Sequence, residues 1–164
     1  MYTIISGTNR VGSHTEKVAK EYKRLLAEKN IDAPILSLQN LNVLERSPEI
    51  KKLEKDLLIP ATKFIFIIPE YNGSYPGVLK SLIDNSDIKL WHSKKALLTG
   101  VATGRAGNLR GMDHLADVLH YLKMNVHYNK LPISVIDKVM DQNGHLNQST
   151  LSVINEQISD FIDF

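Results

Sequence analysis

The stretch FIFII, residues Phe64–Ile68, places five large apolar side chains in direct succession. Successive side chains of a strand point to opposite faces of a sheet, so this strand is apolar on both faces. Such a strand is typical of the centre of a parallel sheet that carries helices on either side. We therefore take Phe64–Ile68 as the centre of the predicted fold.

Shorter β-rich runs and helical periods alternate on both sides of this centre. The other predicted strands are Tyr2–Ser6, Ala33–Leu38, Ala96–Ala102, and Val126 together with Leu131–Ile136. Apolar residues recur with a helical period in Val18–Leu26, Val78–Ile83, Met112–Leu122 and Leu151–Ile162, and one further helix is expected over Glu49–Leu58. This alternation predicts an α/β fold, a doubly wound five-stranded parallel sheet with helices on both faces, in one domain over residues 1–164.

The composition excludes several classes of function. The 164 residues include 20 basic and 18 acidic ones without a long basic run, which argues against a nucleic-acid partner. The absence of cysteine excludes disulfides, zinc–thiolate sites, iron–sulfur clusters and thiol nucleophiles. No stretch is apolar enough to span a membrane, and Tyr2–Ser6 is too short for the apolar part of a secretion signal. We expect a cytoplasmic protein without a membrane or nucleic-acid partner.

In a doubly wound sheet, ligands bind outside the carboxyl ends of the strands, so the loops there are the candidate site. The first loop, Gly7–Thr15, combines two glycines, several hydroxyls and Arg10 directly before a helix. Backbone N–H groups at a helix N-terminus attract anions, and hydroxyl and guanidinium groups donate to phosphate oxygens. The alternative is plain helix capping, since Ser13 and Glu16 have the spacing of a capping box.

Two further loops follow the third and fourth predicted strands. The segment Pro69–Gly77 holds two tyrosines, two prolines and two glycines, which favours a tight turn that offers flat apolar rings. The segment Thr103–Asn108 holds two glycines that permit close approach of a ligand to the backbone. Together the loops favour a phosphorylated, planar cofactor, although either turn could serve structure alone.

The motifs of the first two loops resemble those of the NAD(P)H-dependent FMN reductase family. They read Gly-Thr-x-Arg-x-Gly-Ser-x-Thr from Gly7, and Pro-Glu-Tyr-Asn-Gly-Ser-Tyr-Pro-Gly-Val-Leu-Lys-Ser-Leu-Ile-Asp from Pro69. The likeness spans about Tyr2 to Ile136 and is most specific in Pro69–Asp84. It implies a flavodoxin-like fold and an oxidoreductase that passes electrons from NADPH or NADH through FMN to a quinone, free flavin or similar small acceptor.

The resemblance also implies which residues bind FMN. The resemblance implies that the FMN phosphate is bound by Thr8, Arg10, Ser13 and Thr15, the last at a position where the family often has Asn. It implies that the ring is bordered by two segments, the turn Pro69, Glu70, Tyr71, Asn72 and Gly73 and the loop Thr103, Gly104 and Arg105. We expect the backbone N–H of His14 to join the phosphate site. The chain departs from the family after Asp84, where Asn85-Ser86-Asp87 stands and Trp91 is displaced.

No side chain is predicted to act as an acid, a base or a metal ligand, because the six histidines are scattered and FMN supplies the chemistry. The main alternative is a flavodoxin-type FMN electron carrier without its own NAD(P)H oxidation activity, but a pI near 8.7 and Arg10 argue against an acidic carrier. A receiver-like domain lacks its acidic residues, and an assembly domain without flavin stays open. A homodimer or homotetramer is expected from the family and from Tyr75 and Trp91, taken as exposed.

Overall fold

The computed structural model describes residues 1–164 as one parallel sheet with helices on both faces. The strands are β1 Tyr2–Ser6, β2 Ile35–Ser37, β3 Lys63–Pro69, β4 Lys95–Val101, β5 Asn125–Val126 and β6 Leu131–Ile133. The α-helices are α1 His14–Glu28, α2 Pro48–Leu53, α3 Gly77–Asn85, α4 Leu109–Tyr121, α5 Ile136–Val139 and α6 Gln148–Asp163. A π-helical turn, Glu54–Leu58, continues α2, and a 3₁₀ turn, Ile88–Trp91, follows α3.

The strand order confirms the predicted fold class. The order is β2-β1-β3-β4-β5 with all pairs parallel, which is the flavodoxin-like order of a doubly wound sheet. β3 pairs with β1 on one side and with β4 on the other, from Lys63 opposite Lys95 to Pro69 opposite Val101. β3 is therefore the central strand that the sequence predicts.

The two faces of β3 contact two separate cores. Phe64, Phe66 and Ile68 belong to a cluster of 23 buried residues under α2, α3 and α4. Ile65 and Ile67 belong to a cluster of 18 under α1 and α6. All five side chains are fully buried, which explains the uninterrupted apolar stretch.

The fifth predicted strand is interrupted. β5 and β6 both pair with β4, but four residues separate Val126 from Leu131, whereas two separate their partners Ala96 and Thr99. The side chain of Gln157 fills the break, because its amide donates to the carbonyl oxygens of Leu98 and Asn129 at 3.2 and 2.8 Å. The predicted strand also ends earlier than expected, since α5 begins at Ile136.

The prediction that Trp91 is exposed is wrong. Its side chain is fully buried, with ring centroids 5.2 Å from Phe64 and 6.3 Å from Phe66. Its indole N–H donates to Ser86 Oγ at 2.9 Å, so the polar edge of the ring is satisfied inside the core. The 3₁₀ turn after α3 places the indole there, and Tyr75 is half-buried. None of the helices is both long and apolar enough to cross a bilayer.

Candidate functional site

The three predicted loops converge at the carboxyl edge of the sheet. They follow β1, β3 and β4, which are neighbours in the sheet, and they border one cleft of about 480 Å³. Clefts of a few hundred cubic ångströms are typical of cofactor sites. The cleft is lined by Arg10, Val11, Ser13, His14, Thr15, Pro69, Glu70, Tyr71, Val101, Ala102, Thr103, Gly104 and Ile136.

The first loop presents unpaired donors to this cleft. None of the backbone N–H groups of residues 11–15 has an acceptor within the protein. Ser13 is the N-cap of α1, and its Oγ accepts the N–H of Glu16 at 3.2 Å. The side chain of Thr15 lines the cleft and makes no hydrogen bond within the chain. Capping and anion binding therefore use different groups, and the loop has the donors that a phosphate requires.

The second loop begins with a tight turn. Tyr71 and Ser74 exchange two backbone hydrogen bonds, of 2.8 and 3.1 Å. Between them Asn72 and Gly73 have φ angles of 52° and 77°, the positive values that a type I′ turn requires and that Asn-Gly favours. Pro69, Glu70 and Tyr71 line the cleft, whereas Asn72 and Gly73 at the tip of the turn are not part of its lining.

Contacts of Tyr71 join the second loop to the first. Its hydroxyl lies 2.5 Å from Thr8 Oγ1, and its ring centroid lies 4.1 Å from Arg10 Cζ. Thr8 is only 1% exposed and lies outside the cleft lining, while Arg10 is exposed at the rim. The cationic, hydroxyl and aromatic groups of the predicted site are thus in direct contact.

Asn108 fixes the third loop against the end of β3. Its side-chain amide donates to the carbonyl oxygens of Ile68 and Pro69 at 3.1 and 2.9 Å. The residue lies in the left-handed region with φ of 64°, and a Cβ at position 111 would overlap its Oδ1, so Gly111 makes room for it. The sequence alone does not identify Asn108 as part of the site, because the carbonyl groups it binds are about forty residues away in the chain.

The fourth wall of the cleft comes from α5 and was not predicted. Ile136 lines the cleft, and Asp137 lies 3.1 Å from Nε2 of His14, whose Nδ1 contacts Met140 Sδ at 3.3 Å. Ile136 is the last residue of the predicted fifth strand and lies three residues after the end of β6, so the rule that ligands bind at carboxyl ends of strands would have found it. The side chain of His14 contacts α5, so only its backbone N–H is left for the role that the sequence predicts.

The structure brings most of the predicted site residues to the cleft. Nine of them line it: Arg10, Ser13, His14, Thr15, Pro69, Glu70, Tyr71, Thr103 and Gly104. The others lie next to it without lining it: Thr8, Asn72, Gly73 and Arg105. Val11, Val101, Ala102 and Ile136 line it without having been predicted.

A comparison with known families decides the family of the chain. The sequence model of the family described as NADPH-dependent FMN reductase matches residues 2–134. The chain belongs to the NADPH-dependent FMN reductase family. Of the thirteen residues that line the cleft, only Ile136 lies outside the segment that matches the family.

Individual proteins that are similar to this chain in sequence carry related descriptions. The NAD(P)H-dependent FMN reductase LOT6 of Saccharomyces cerevisiae is 38% identical over 100 residues, which cover 57% of this chain and 47% of the yeast protein. An FMN-dependent NADPH-azoreductase of Staphylococcus aureus is 34% identical over 112 residues, which cover 62% of this chain and 60% of that protein. The chain thus spans about half of the length of these relatives.

Solved structures support the fold of this FMN reductase family member over its full length. The flavoenzyme NAD(P)H:(acceptor) oxidoreductase FerB from Paracoccus denitrificans matches with a TM-score of 0.79 at 20% identity, over 99% of this chain and 94% of that one. At that identity the likeness establishes the fold alone, which agrees with the flavodoxin-like strand order.

Proposed function

We propose that residues 1–164 act as one FMN-binding domain of an NAD(P)H-dependent oxidoreductase that reduces a quinone, free flavin or similar small acceptor. The observation that carries the proposal is the convergence of the loops after β1, β3 and β4 on one cleft at the carboxyl edge. Membership of the family and the descriptions of the relatives support the same activity.

The first loop fits the phosphate of FMN. Four lining residues, Val11, Ser13, His14 and Thr15, have unpaired backbone N–H groups, and the hydroxyls of Ser13 and Thr15 and the guanidinium of Arg10 can donate as well. The N-terminus of α1, a helix of 15 residues, adds partial positive charge. These groups would hold the phosphate and thereby set the position of the rest of the cofactor.

The second and third loops fit the planar ring. Pro69 and Tyr71 offer apolar surface on one wall, and Ala102, Thr103 and Gly104 form another, where Gly104 leaves the backbone accessible. When bound, FMN would supply the redox chemistry between NAD(P)H and the acceptor. The second and third loops would bind and orient its ring, and backbone N–H groups beside the ring would stabilise negative charge on it. We assign no side chain as an acid or base.

Binding is tested by adding FMN to the purified protein and following flavin fluorescence. We expect saturable binding with one site per chain. Absence of binding at high micromolar FMN would contradict the cofactor assignment and favour the assembly domain without flavin.

Activity is tested on the FMN-loaded protein with NADPH or NADH in the absence of oxygen. We expect the flavin absorbance near 450 nm to bleach, whereas a flavodoxin-type carrier would stay oxidised. The cleft is open at its rim, where Val11 is 79% exposed, so nicotinamide and acceptor would use the same side of the ring in turn. Initial rates at several acceptor concentrations should therefore give the parallel lines of a ping-pong mechanism. Intersecting lines would mean that both substrates bind together.

We also propose a cytoplasmic homodimer or homotetramer without nucleic-acid or membrane partners. With Trp91 buried, the support comes from a second groove of about 490 Å³ between α3 and α4. There Tyr121 is 80% and Ile88 48% exposed, and the groove also contains Ile83, Val118 and Leu122, so that apolar surface is available to a second subunit. Light scattering should give a multiple of the monomer mass of 18.5 kDa, and a monomer at working concentration would contradict this part of the proposal.

A further inference from the structure

Tyr71 and Thr8 form a contact that family membership does not explain. Their hydroxyl oxygens lie 2.5 Å apart although the residues are 63 positions apart in the chain. Thr8 Oγ1 is also 3.3 Å from the backbone nitrogen of Arg10, whose N–H it accepts. The guanidinium of the same Arg10 lies over the ring of Tyr71. Tyr71 therefore contacts two side chains of the first loop, that of Thr8 through its hydroxyl and that of Arg10 through its ring.

These hydrogen bonds hold Thr8 from two sides. A threonine hydroxyl has one hydrogen to donate and two lone pairs to accept with. The N–H of Arg10 can only donate, so it occupies one lone pair of Thr8 Oγ1. In the contact with Tyr71 either hydroxyl can be the donor. Thr8 is only 1% exposed, so its position is fixed by the backbone of Arg10 and the hydroxyl of Tyr71.

We propose that Tyr71 is a positioning residue for phosphate recognition, whose hydroxyl fixes the first loop at Thr8 while its ring holds the guanidinium of Arg10. This inference rests on the proposed function and specifies how the same site selects FMN over riboflavin. The loop held in this way carries open N–H groups, hydroxyls and a guanidinium, all of which can donate. A fully ionised phosphate offers acceptors only and is its matching ligand.

The decisive test measures the dissociation constants of FMN and riboflavin for Tyr71→Phe. This variant keeps the ring under Arg10 and removes only the phenolic oxygen. The variant loses the neutral hydrogen bond that holds Thr8, so we expect an FMN dissociation constant about fivefold higher, with that of riboflavin unchanged. The matched control is Tyr75→Phe, because Tyr75 lies in the same loop, is half-buried and makes no side-chain hydrogen bond. It should change neither constant.

A double-mutant cycle tests whether Tyr71 acts through Thr8. In a Thr8→Val background, Tyr71→Phe should cause no further loss of FMN affinity, whereas independent contacts would add. Thr8→Ser keeps the hydroxyl and should restore FMN affinity to near the original value. Additive losses, an unchanged FMN constant, or an equal loss for riboflavin would overturn the inference. Tighter FMN binding by Tyr71→Phe would also overturn it, because the phenol would then merely cover Thr8.

Inorganic phosphate separates this inference from the proposed function. Phosphate should raise the midpoint of thermal unfolding of the flavin-free protein, and the rise should be smaller in Tyr71→Phe but not in Tyr75→Phe. If the protein binds no flavin but shows this pattern, the proposed function fails and the role of Tyr71 stands. Equal stabilisation of all three proteins by phosphate would overturn the role of Tyr71 irrespective of flavin binding.

Discussion

The two edges of the sheet differ in how the backbone groups at the ends of the helices find hydrogen-bond partners. The first N–H groups and the last carbonyl groups of a helix have no partner within it. At the amino edge of the sheet, three lysine side chains donate hydrogen bonds to these carbonyl groups. Lys63 donates to Phe161 and Ile162 at 2.8 and 2.7 Å. Lys94 donates to Leu58 and Ile59 at 2.7 and 2.8 Å, and Lys95 donates to Phe164. Burial lowers the pKa of Lys63 and of Lys94 from the usual value, which shows that these ammonium groups are partly removed from water.

At the carboxyl edge the N–H groups beside the cleft are left open. Ser47 and Asn147 cap α2 and α6, but Ser13 caps a single N–H of α1, and α3 and α4 begin without any side-chain cap. The same requirement of the helical backbone is thus met by the protein at the amino edge and left to a ligand at the cleft. We therefore expect substitutions at the amino edge to change stability and substitutions at the carboxyl edge to change binding.

The largest expected effect is on binding, in Arg10→Ala. Loss of a charged hydrogen bond of about 1.5–3 kcal/mol should raise the dissociation constant of FMN tenfold or more. Riboflavin lacks the phosphate and should bind as before. Because Arg10 is exposed, the free energy of unfolding should change by less than about 1 kcal/mol. Fluorescence titration and urea unfolding measure the two quantities, and a large loss of stability would remove the distinction between the edges.

The opposite pattern is expected for Lys63→Met. The variant keeps the aliphatic stem of the side chain but leaves the carbonyl groups of Phe161 and Ile162 without their donor. We expect a loss of about 2 kcal/mol in the free energy of unfolding, measured in urea. FMN affinity should stay the same, and a weakened affinity would show that the two edges are not independent.

A smaller and mixed effect is expected for Ser13→Ala, since Ser13 both caps α1 and lines the cleft. Removal of an N-cap costs about 1 kcal/mol of stability. If the hydroxyl also contacts phosphate, FMN affinity should fall more than riboflavin affinity. An equal loss for both flavins would mean that Ser13 serves only as a helix cap.

The smallest effect concerns pH and lies at the amino edge. Burial among aromatic rings lowers the pKa of His127, although Asp160 opposes the shift and Lys63 adds to it. The unfolded chain then binds the proton more readily than the folded one, so stability is lost as pH falls through about 6.5. His127→Gln should reduce this loss by up to about 1 kcal/mol per pH unit. Parallel plots of unfolding free energy against pH for the two proteins would contradict the prediction.

Much of the fold could be predicted because the sequence patterns that indicate it lie within short segments of the chain. The uninterrupted apolar stretch of β3 and the helical periods are read from neighbouring residues, and the fold class and central strand that they predict are confirmed. The helix expected over Glu49–Leu58 is present as α2 and its π-helical continuation. The family assignment is confirmed as well, because its motifs are contiguous.

The errors concern residues whose environment is set by distant parts of the chain. Trp91 was expected at the surface, but the turn after α3 brings it onto β3 and into the core. The break in the fifth strand depends on Gln157 of α6, which also accepts hydrogen bonds from Tyr22 at 2.5 Å and Thr99 at 3.2 Å. No local pattern around the strand contains that information.

The same distinction between local sequence patterns and long-range contacts applies to the candidate site. The sequence by itself determined the α/β class, the edge at which a ligand binds, and the donor-rich and aromatic loops, since periodicity and short motifs are properties of contiguous residues. Only the tertiary structure decided that Tyr71 contacts Thr8 and Arg10, that Asn108 fixes the end of β3, and that α5 closes the cleft. The physical reason is that hydrogen bonds and ring contacts act over a few ångströms, and folding alone brings residues tens of positions apart within that distance.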